Sequence, residues 1–102
     1  MPYLYRMDIT IQIANADESA LIQALLNNER WAQKQLYEEQ YPSMMATALR
    51  YANNHDDALD ILHESFIKIF NNIHKYQVNS SLSSWIKRIL VNTAIDYYWK
   101  VI

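Results

Sequence analysis

Glycine and cysteine are both absent from the 102 residues, and proline occurs only twice. Tight two-residue hairpin turns depend heavily on glycine, so a chain without it is a poor candidate for a β-meander. A chain without cysteine can form neither a disulfide scaffold nor a thiolate metal site. Asparagine occurs in adjacent pairs where the apolar periodicity breaks, and it tolerates the left-handed conformation that closes a helix. These features predict an all-α fold.

A positive charge excess is also lacking, because 9 Lys and Arg stand against 11 Asp and Glu. Proteins that coat nucleic acid on their own carry a basic excess, since phosphate neutralisation supplies most of their affinity. The charge argues against an independent DNA-binding protein, but not against a subunit that meets DNA inside a larger complex. No apolar run approaches the roughly 20 residues of a membrane span, and residues 1–7 do not resemble a signal peptide. We therefore expect a cytoplasmic protein.

Hydrophobic residues make up 51% of the chain and aromatic residues 13%, which is enough for the core of one compact domain. Apolar residues at helical spacing predict a bundle of three to four helices in residues 15–102. Residues 1–14 alternate in part and are predicted to form an N-terminal arm. A capping-box pattern at residues 15–18 is predicted to open a first short helix.

The longer helices are predicted at about residues 29–52, 57–73 and 85–102. Pro42 lies inside the first of these, so we expect a kink or a new helix start there. Residues 75–84 are polar and are predicted to form a loop. Either Ser83 or Ser84 is predicted to cap the last helix.

No enzymatic motif is complete in this sequence. His63-Glu64 begins like a zinc-protease helix, but position 67 would have to be His and is Ile. Asp60, His63 and Glu64 share a helix face and are possible metal ligands, but a solvated or partner-facing polar stripe is favoured. A Gly-rich phosphate loop is absent, and no nucleophile has an obvious base. The sequence therefore predicts no enzyme, no cofactor and no metal site.

The last predicted helix carries basic, amide and aromatic side chains along one side: Arg88, Asn92, Asp96 and Trp99, with Trp85, Tyr97 and Tyr98 beside them. Such a face suits single-stranded DNA, because cations hold the backbone while rings stack on bases, at roughly 1–3 kcal/mol per base. Periodicity alone favours a different interpretation, in which the aromatic residues belong to the core and the charges are solvated.

Three stretches together resemble the second conserved region of the extracytoplasmic-function sigma factors, over residues 21–100. They are residues 36–42 (LYEEQYP) with 50–52 (RYA), 57–66 (DALDILHESF) with 68–70 (KIF), and 85–89 (WIKRI) with 92–97 (NTAIDY). The last of these resembles the family's Trp-Leu-x-Arg-Ile-x-x-Asn-x-x-Ile-Asp-Tyr signature. The resemblance implies the helical fold of sigma region 2.

The resemblance also implies two sets of binding residues. The acidic third helix docks on the clamp helices of the polymerase's largest subunit in this family, which implies polymerase contacts by Asp57, Asp60, Ile61 and Glu64. The loop and signature helix of the family bind a flipped base and the non-template strand of the minus-ten element. This implies DNA contacts by Gln77, Asn79, Ser80, Ser81, Ser83, Trp85, Lys87, Arg88 and Asn92.

The function implied is recognition and melting of the promoter minus-ten element together with core RNA polymerase. The alternative is a protein-interaction bundle that binds an anti-sigma factor, or polymerase without productive promoter opening. Position 99 is Trp where the family commonly has a basic residue, and position 63 is His where Gln is usual. The family's helix-turn-helix domain matches nothing in these 102 residues, so we expect either a piece of a longer protein or a shortened relative.

Overall fold

The computed structural model describes residues 18–77 and 81–101, and all the regular structure in them is helical. Residues 18–26 form α1, which is followed by α2 (Arg30–Tyr51), α3 (His55–Asn72), a 3-10 turn (Ile73–Lys75) and α4 (Leu82–Val101). The predicted all-α bundle is confirmed. The predicted arm (1–14) and residues 15–17 of the predicted capping box lie outside the described residues, so those predictions stay open.

The first asparagine pair ends α1 as the sequence predicts. Asn28 has a φ of 58°, which is the left-handed conformation. Its N–H donates to the carbonyl of Leu25 at 3.1 Å, and the N–H of Glu29 donates to the carbonyl of Ala24 at 3.0 Å. These two bonds form a Schellman motif.

The second asparagine pair has a different role, because Asn54 starts α3 instead of closing α2. Its φ is −155°, and its side chain accepts a hydrogen bond from the N–H of Asp57 at 2.8 Å. Asn72, the last residue of α3, has a φ of −118°. Asn28 is the only residue with positive φ in the described part of the chain, so the expectation of left-handed closure holds for one pair of the three.

Helix α2 runs without interruption through Pro42, so the predicted new helix start is wrong. Pro42 lacks an N–H and cannot bond to the carbonyl of Glu38. The proline side chain is exposed, so its ring displaces no core residue. A single missing backbone bond on the surface is compatible with a continuous helix when tertiary packing holds both halves.

The core forms where α2, α3 and α4 pack against one another, and α1 contributes Leu21, Ala24 and Leu25 to it. Its largest fully buried apolar side chains are Leu25, Leu36, Ile61, Leu62, Ile69, Ile86 and Leu90. Two buried hydroxyls bond within their own helices: Ser65 donates to the carbonyl of Ile61 at 2.6 Å, and Thr93 donates to that of Ile89 at 2.7 Å. Of the described helices, none is long and apolar enough to cross a membrane.

Helix α4 begins at Leu82, three residues earlier than predicted. The hydroxyl oxygen of Ser81 accepts from the N–H of Ser84 at 3.2 Å, and its carbonyl accepts from the N–H of Trp85 at 3.0 Å. This is N-cap geometry, so Ser81 is the cap and the prediction of Ser83 or Ser84 is wrong. Leu82 is 7% exposed, and its burial brings the first turn of α4 onto the core.

Candidate functional site

Acidic side chains lie along the outer side of α3. Asp60 is exposed, while Asp57 and Glu64 are half-buried. Glu64 lies 3.8 Å from the ammonium of Lys68. Ile61, predicted as a polymerase contact, is 0% exposed. That prediction needs correction, because a fully buried side chain offers no surface to a partner.

Asp57 is held by two neighbours. One carboxylate oxygen accepts from the side-chain amide of Asn54 at 3.3 Å, and the other accepts from the hydroxyl of Tyr97 at 3.0 Å. Asn54 also accepts from the N–H of Asp57 and so caps α3, and the Asp57 carboxylate holds the side-chain amide of that cap. The Asp57 carboxylate therefore already has partners within the chain.

The two adjacent tyrosines of α4 connect it to the start of α3. The hydroxyl of Tyr97 also lies 3.5 Å from a carboxylate oxygen of Asp60, and the hydroxyl of Tyr98 accepts from the N–H of Asn53 at 2.8 Å. The hydrogen bond to Asp57 raises the pKa of Tyr97 from 10.0 to about 12, with burial and the nearby acidic charges contributing. The sequence predicts Tyr97 and Tyr98 on the last helix but not these hydrogen bonds, which join residues 40 and 45 positions apart in the chain.

His63 projects from α3 toward α2. Its Nε2 lies 3.3 Å from the hydroxyl of Tyr37, and the two rings stack with centroids 6.3 Å apart. Tyr37 in turn packs on Phe66 at 4.7 Å. Within the described ranges, no group of three acidic or histidine side chains is arranged to hold a metal ion, so His63 belongs to an aromatic contact between helices.

Three of the predicted DNA-binding residues of α4 are exposed to solvent: Lys87, Arg88 and Asn92. The Trp85 ring is half-buried and packs at 5.5 Å on Tyr76, which directly follows the 3-10 turn. Gln77, Ser81 and Ser83 are exposed, while Asn79 and Ser80 lie outside the described residues.

In the described part of the chain, surface grooves border these residues on two sides of α4. Two open grooves of about 360 and 380 Å³ lie between α2 and α4. Both are lined by Glu39, Gln40 and Ser83; Ser81 lines the first and Lys87 the second. A third groove, of about 270 Å³, lies between α3 and α4 and is lined by Lys68, Asn72, Lys75, Trp85, Ile89, Asn92 and Thr93. The predicted DNA-binding residues are thus divided between two sides of one helix.

Comparison with known protein families identifies the chain. Residues 36–100 match the family described as Sigma-70 region 2, and this segment covers most of α2, all of α3 and most of α4. The chain belongs to the Sigma-70 region 2 family. The three stretches that carry the resemblance in the sequence begin at residue 36, where the matched segment begins.

Two curated sigma factors are similar to this region 2 chain. RNA polymerase sigma factor SigV of Bacillus subtilis is 42% identical over 53 residues, which cover 52% of this chain and 32% of that protein. The ECF RNA polymerase sigma-E factor of Haemophilus influenzae is 31% identical over 80 residues, which cover 78% of this chain and 42% of that protein. The predicted kinship with extracytoplasmic-function sigma factors is confirmed, and the chain spans less than half the length of these relatives.

A solved structure has the same fold as this region 2 chain. It is the NMR structure of an engineered region 2 of sigmaE in complex with GTAAAA, with a TM-score of 0.72 and 26% sequence identity. The match covers 79% of this chain and 84% of that chain. It therefore includes most of the described helices.

Proposed function

We propose that this chain is the promoter-recognition module of a sigma factor, which binds core RNA polymerase and recognises and melts the minus-ten element. The observation that carries the proposal is the likeness to a region 2 that was solved with the hexanucleotide GTAAAA. The exposed cations and amide of α4, Lys87, Arg88 and Asn92, agree with this function. A polymerase partner also implies a cytoplasmic location.

Polymerase binding is assigned to the acidic side of α3. Asp60 is exposed and Glu64 half-buried one turn later, so both are accessible to a basic partner such as the clamp helices of the largest polymerase subunit. Asp57 is less available to such a partner, because its oxygens already accept hydrogen bonds from Asn54 and Tyr97. Ile61 is not part of the proposed surface.

DNA melting by such a module requires no catalytic group. Unstacking a base costs a few kcal/mol, and binding the unpaired base and its phosphates to the protein offsets that cost. The chain has a formal charge of −2, so polymerase must supply much of the attraction for the DNA backbone. This explains how a slightly acidic chain can act at a promoter.

The experiment is fluorescence anisotropy with a labelled GTAAAA single strand and a scrambled control, with and without core polymerase. We expect the chain to bind core polymerase and to prefer GTAAAA over the scrambled strand in that complex. Asp60→Asn should weaken the binding of core polymerase, whereas Glu38→Gln, an exposed acid on α2, should not. Polymerase binding without any preference between the two strands would contradict the melting function.

A second function is favoured by the outer side of α4. Trp99 is 73% exposed and Ile95, one turn before it, is 45% exposed. Exposed apolar side chains one turn apart suit a protein contact better than a phosphate backbone. The alternative is therefore a bundle that binds an anti-sigma factor, or occupies polymerase without opening the promoter, and the same anisotropy experiment separates it from the first.

A further inference from the structure

We infer that His63 makes the docking of core RNA polymerase on α3 depend on pH: the neutral imidazole favours the complex and the protonated one weakens it. The inference rests on the proposed function, because it requires the acidic side of α3 to be the polymerase surface. It adds to that surface a titratable group that the assigned polymerase contacts do not include.

His63 lies among the acids of the proposed polymerase surface. It is exposed, Asp60 precedes it by three residues, and Glu64 follows it directly. Side chains three residues apart on a helix are neighbours, with Cβ atoms about 5–6 Å apart. A partner that binds the carboxylate of Asp60 therefore also lies close to the imidazole of His63.

Tyr37 of α2 holds the imidazole in this place. Its hydroxyl lies 3.3 Å from Nε2 of His63, and the two rings stack with centroids 6.3 Å apart. Tyr37 in turn packs on Phe66 at 4.7 Å. A hydroxyl can donate to the neutral imidazole or accept from the protonated one, so the contact can form in both protonation states. Protonation therefore changes the charge of the surface without releasing the ring.

Asp60 is the acid on which the charge of His63 acts most. The carboxylate of Glu64 is partly compensated by the ammonium of Lys68 at 3.8 Å. Among the hydrogen bonds and ion pairs of the described residues, Asp60 has one contact, the hydroxyl of Tyr97 at 3.5 Å. An imidazolium one turn away pairs with Asp60 and repels a basic partner. Both effects lower the affinity for a polymerase surface that is basic.

The charged residues of α2 around Tyr37 compensate each other. Lys34 and Glu38, which lie three residues before and one residue after Tyr37, form an ion pair of 3.9 Å. The charge of His63 therefore acts mainly on the acids of its own helix. Histidine is the side chain that ordinarily changes charge between pH 5 and 8, so the acidic side of α3 should be most negative at the upper end of this range.

The test compares wild type with a neutral and a permanently charged variant. His63→Gln removes the charge and retains an amide that can bond to Tyr37, whereas His63→Lys is positively charged throughout. The affinity of the labelled full chain for core polymerase is measured by anisotropy at about pH 6 and about pH 8. Between about pH 8 and about pH 6, wild type should lose about threefold more affinity than His63→Gln, as expected for one exposed charge interaction. His63→Lys should bind about threefold more weakly than His63→Gln at both pH values.

Titration of polymerase itself affects all variants equally, so the informative quantity is the ratio of their affinities. His74→Gln is the matched control, because it removes an exposed histidine from the 3-10 turn, and it should show the pH dependence of wild type. Urea unfolding at both pH values shows whether each variant is folded. If His63→Gln is not folded, wild type should still approach the affinity of His63→Lys as the pH falls.

Two results would overturn the inference and leave the proposed function standing. One is an equal pH dependence of polymerase binding in wild type and His63→Gln. The other is binding by His63→Lys that is as tight as that of wild type at about pH 8. Failure of wild type to bind core polymerase at either pH would overturn both the inference and the proposed function.

Discussion

Asp57 and Asp60 lie one helical turn apart on α3, but their side chains have different surroundings. Asp57 is half-buried and bonded to Asn54 and Tyr97, whereas Asp60 is exposed and has one contact of 3.5 Å, with Tyr97, among the hydrogen bonds of the described residues. A carboxylate that is hydrogen-bonded within the chain contributes mainly to folding, while an exposed one is available to a partner. The two acids should therefore affect different measurements.

Substitution of each acid separates these contributions. Asp57→Ala should lower the free energy of unfolding by about 1 kcal/mol, because the carboxylate's hydrogen bonds with Asn54 and Tyr97 are lost while the backbone bond to the Asn54 cap remains. Asp60→Ala should leave the unfolding free energy within about 0.5 kcal/mol of wild type and weaken core polymerase binding. Urea unfolding and a polymerase pull-down titration measure the two effects. Asp56→Ala, an exposed acid in the same first turn, controls for the helix dipole, and equal destabilisation by it would refute the contribution assigned to the hydrogen bonds of the Asp57 side chain.

Tyr97 makes stability depend on alkaline pH. Its pKa is 10.0 in the unfolded chain and about 12 in the folded one, chiefly because it donates a hydrogen bond to Asp57. The folded state therefore keeps a proton that the unfolded state releases, so this contribution is complete below pH 10 and is lost as pH rises through about 12. Tyr97→Phe should be less stable than wild type at neutral pH. The difference in unfolding free energy between the two proteins should disappear as the pH rises from 10 to about 12.

Urea unfolding at a series of pH values tests this dependence. Burial also raises the pKa of Tyr76, so both proteins should lose some stability in strong alkali. The informative quantity is the difference between wild type and Tyr97→Phe. If the difference in unfolding free energy between the two proteins stays constant from neutral pH to about pH 12, the hydrogen bond to Asp57 does not raise the pKa of Tyr97.

Ile61 shows the limit of a family resemblance as a guide to a binding surface. The resemblance implies polymerase contacts by residues 57, 60, 61 and 64, which share one side of a helix at 3.6 residues per turn. Ile61 and Asp57 lie at the border of the buried face, and only packing against α2 and α4 decides on which side each belongs. Lys68 and Lys75 line one groove with Trp85 only because α3 and α4 pack together, and no pattern in the sequence indicates that arrangement.

The start of α4 shows the same limit at the scale of an element. Ser81, Ser83 and Ser84 are equally suitable caps by residue type, so sequence alone could not choose among them. The burial of Leu82 settles the choice, because it draws the first turn toward the core. By contrast, the existence of all three longer helices followed from apolar periodicity, and the end of α1 followed from asparagine at the left-handed position.

Cap assignment in α4 can be tested with neighbouring serines. Ser81→Ala should lower the free energy of unfolding by about 1 kcal/mol, because the N–H of Ser84 loses its acceptor. Ser83→Ala is the matched control, since its exposed side chain lies one residue inside the helix and should change stability by less than about 0.5 kcal/mol. Urea or thermal unfolding compares the two variants. A larger loss of unfolding free energy in Ser83→Ala than in Ser81→Ala would show that Ser83, one of the two residues predicted from the sequence, is the N-cap.

At the scale of the whole molecule, α4 belongs to both proposed surfaces. Its first half borders the grooves and carries the exposed cations, while Tyr97 and Tyr98 in its second half bond to Asp57 and to the backbone of Asn53. One helix thus positions both of the proposed surfaces. The similarity to region 2 could be read from the sequence because its motifs lie on these helices, whereas the contacts between the two surfaces required the packed fold.

Charge distribution predicts how the chain alone should bind DNA. The described residues place four cations beside the grooves of α4 or on its outer side: Lys68, Lys75, Lys87 and Arg88. Each phosphate neutralised on a single strand contributes about −0.7 to the slope of log K against log salt. The slope for the chain alone should therefore be no steeper than about −3, and with core polymerase it should steepen as polymerase cations join. Anisotropy titrations with GTAAAA from about 50 to 200 mM salt measure both slopes. A slope for the free chain as steep as in the complex would mean that the chain, despite a net charge of −2, holds the strand without electrostatic help from polymerase.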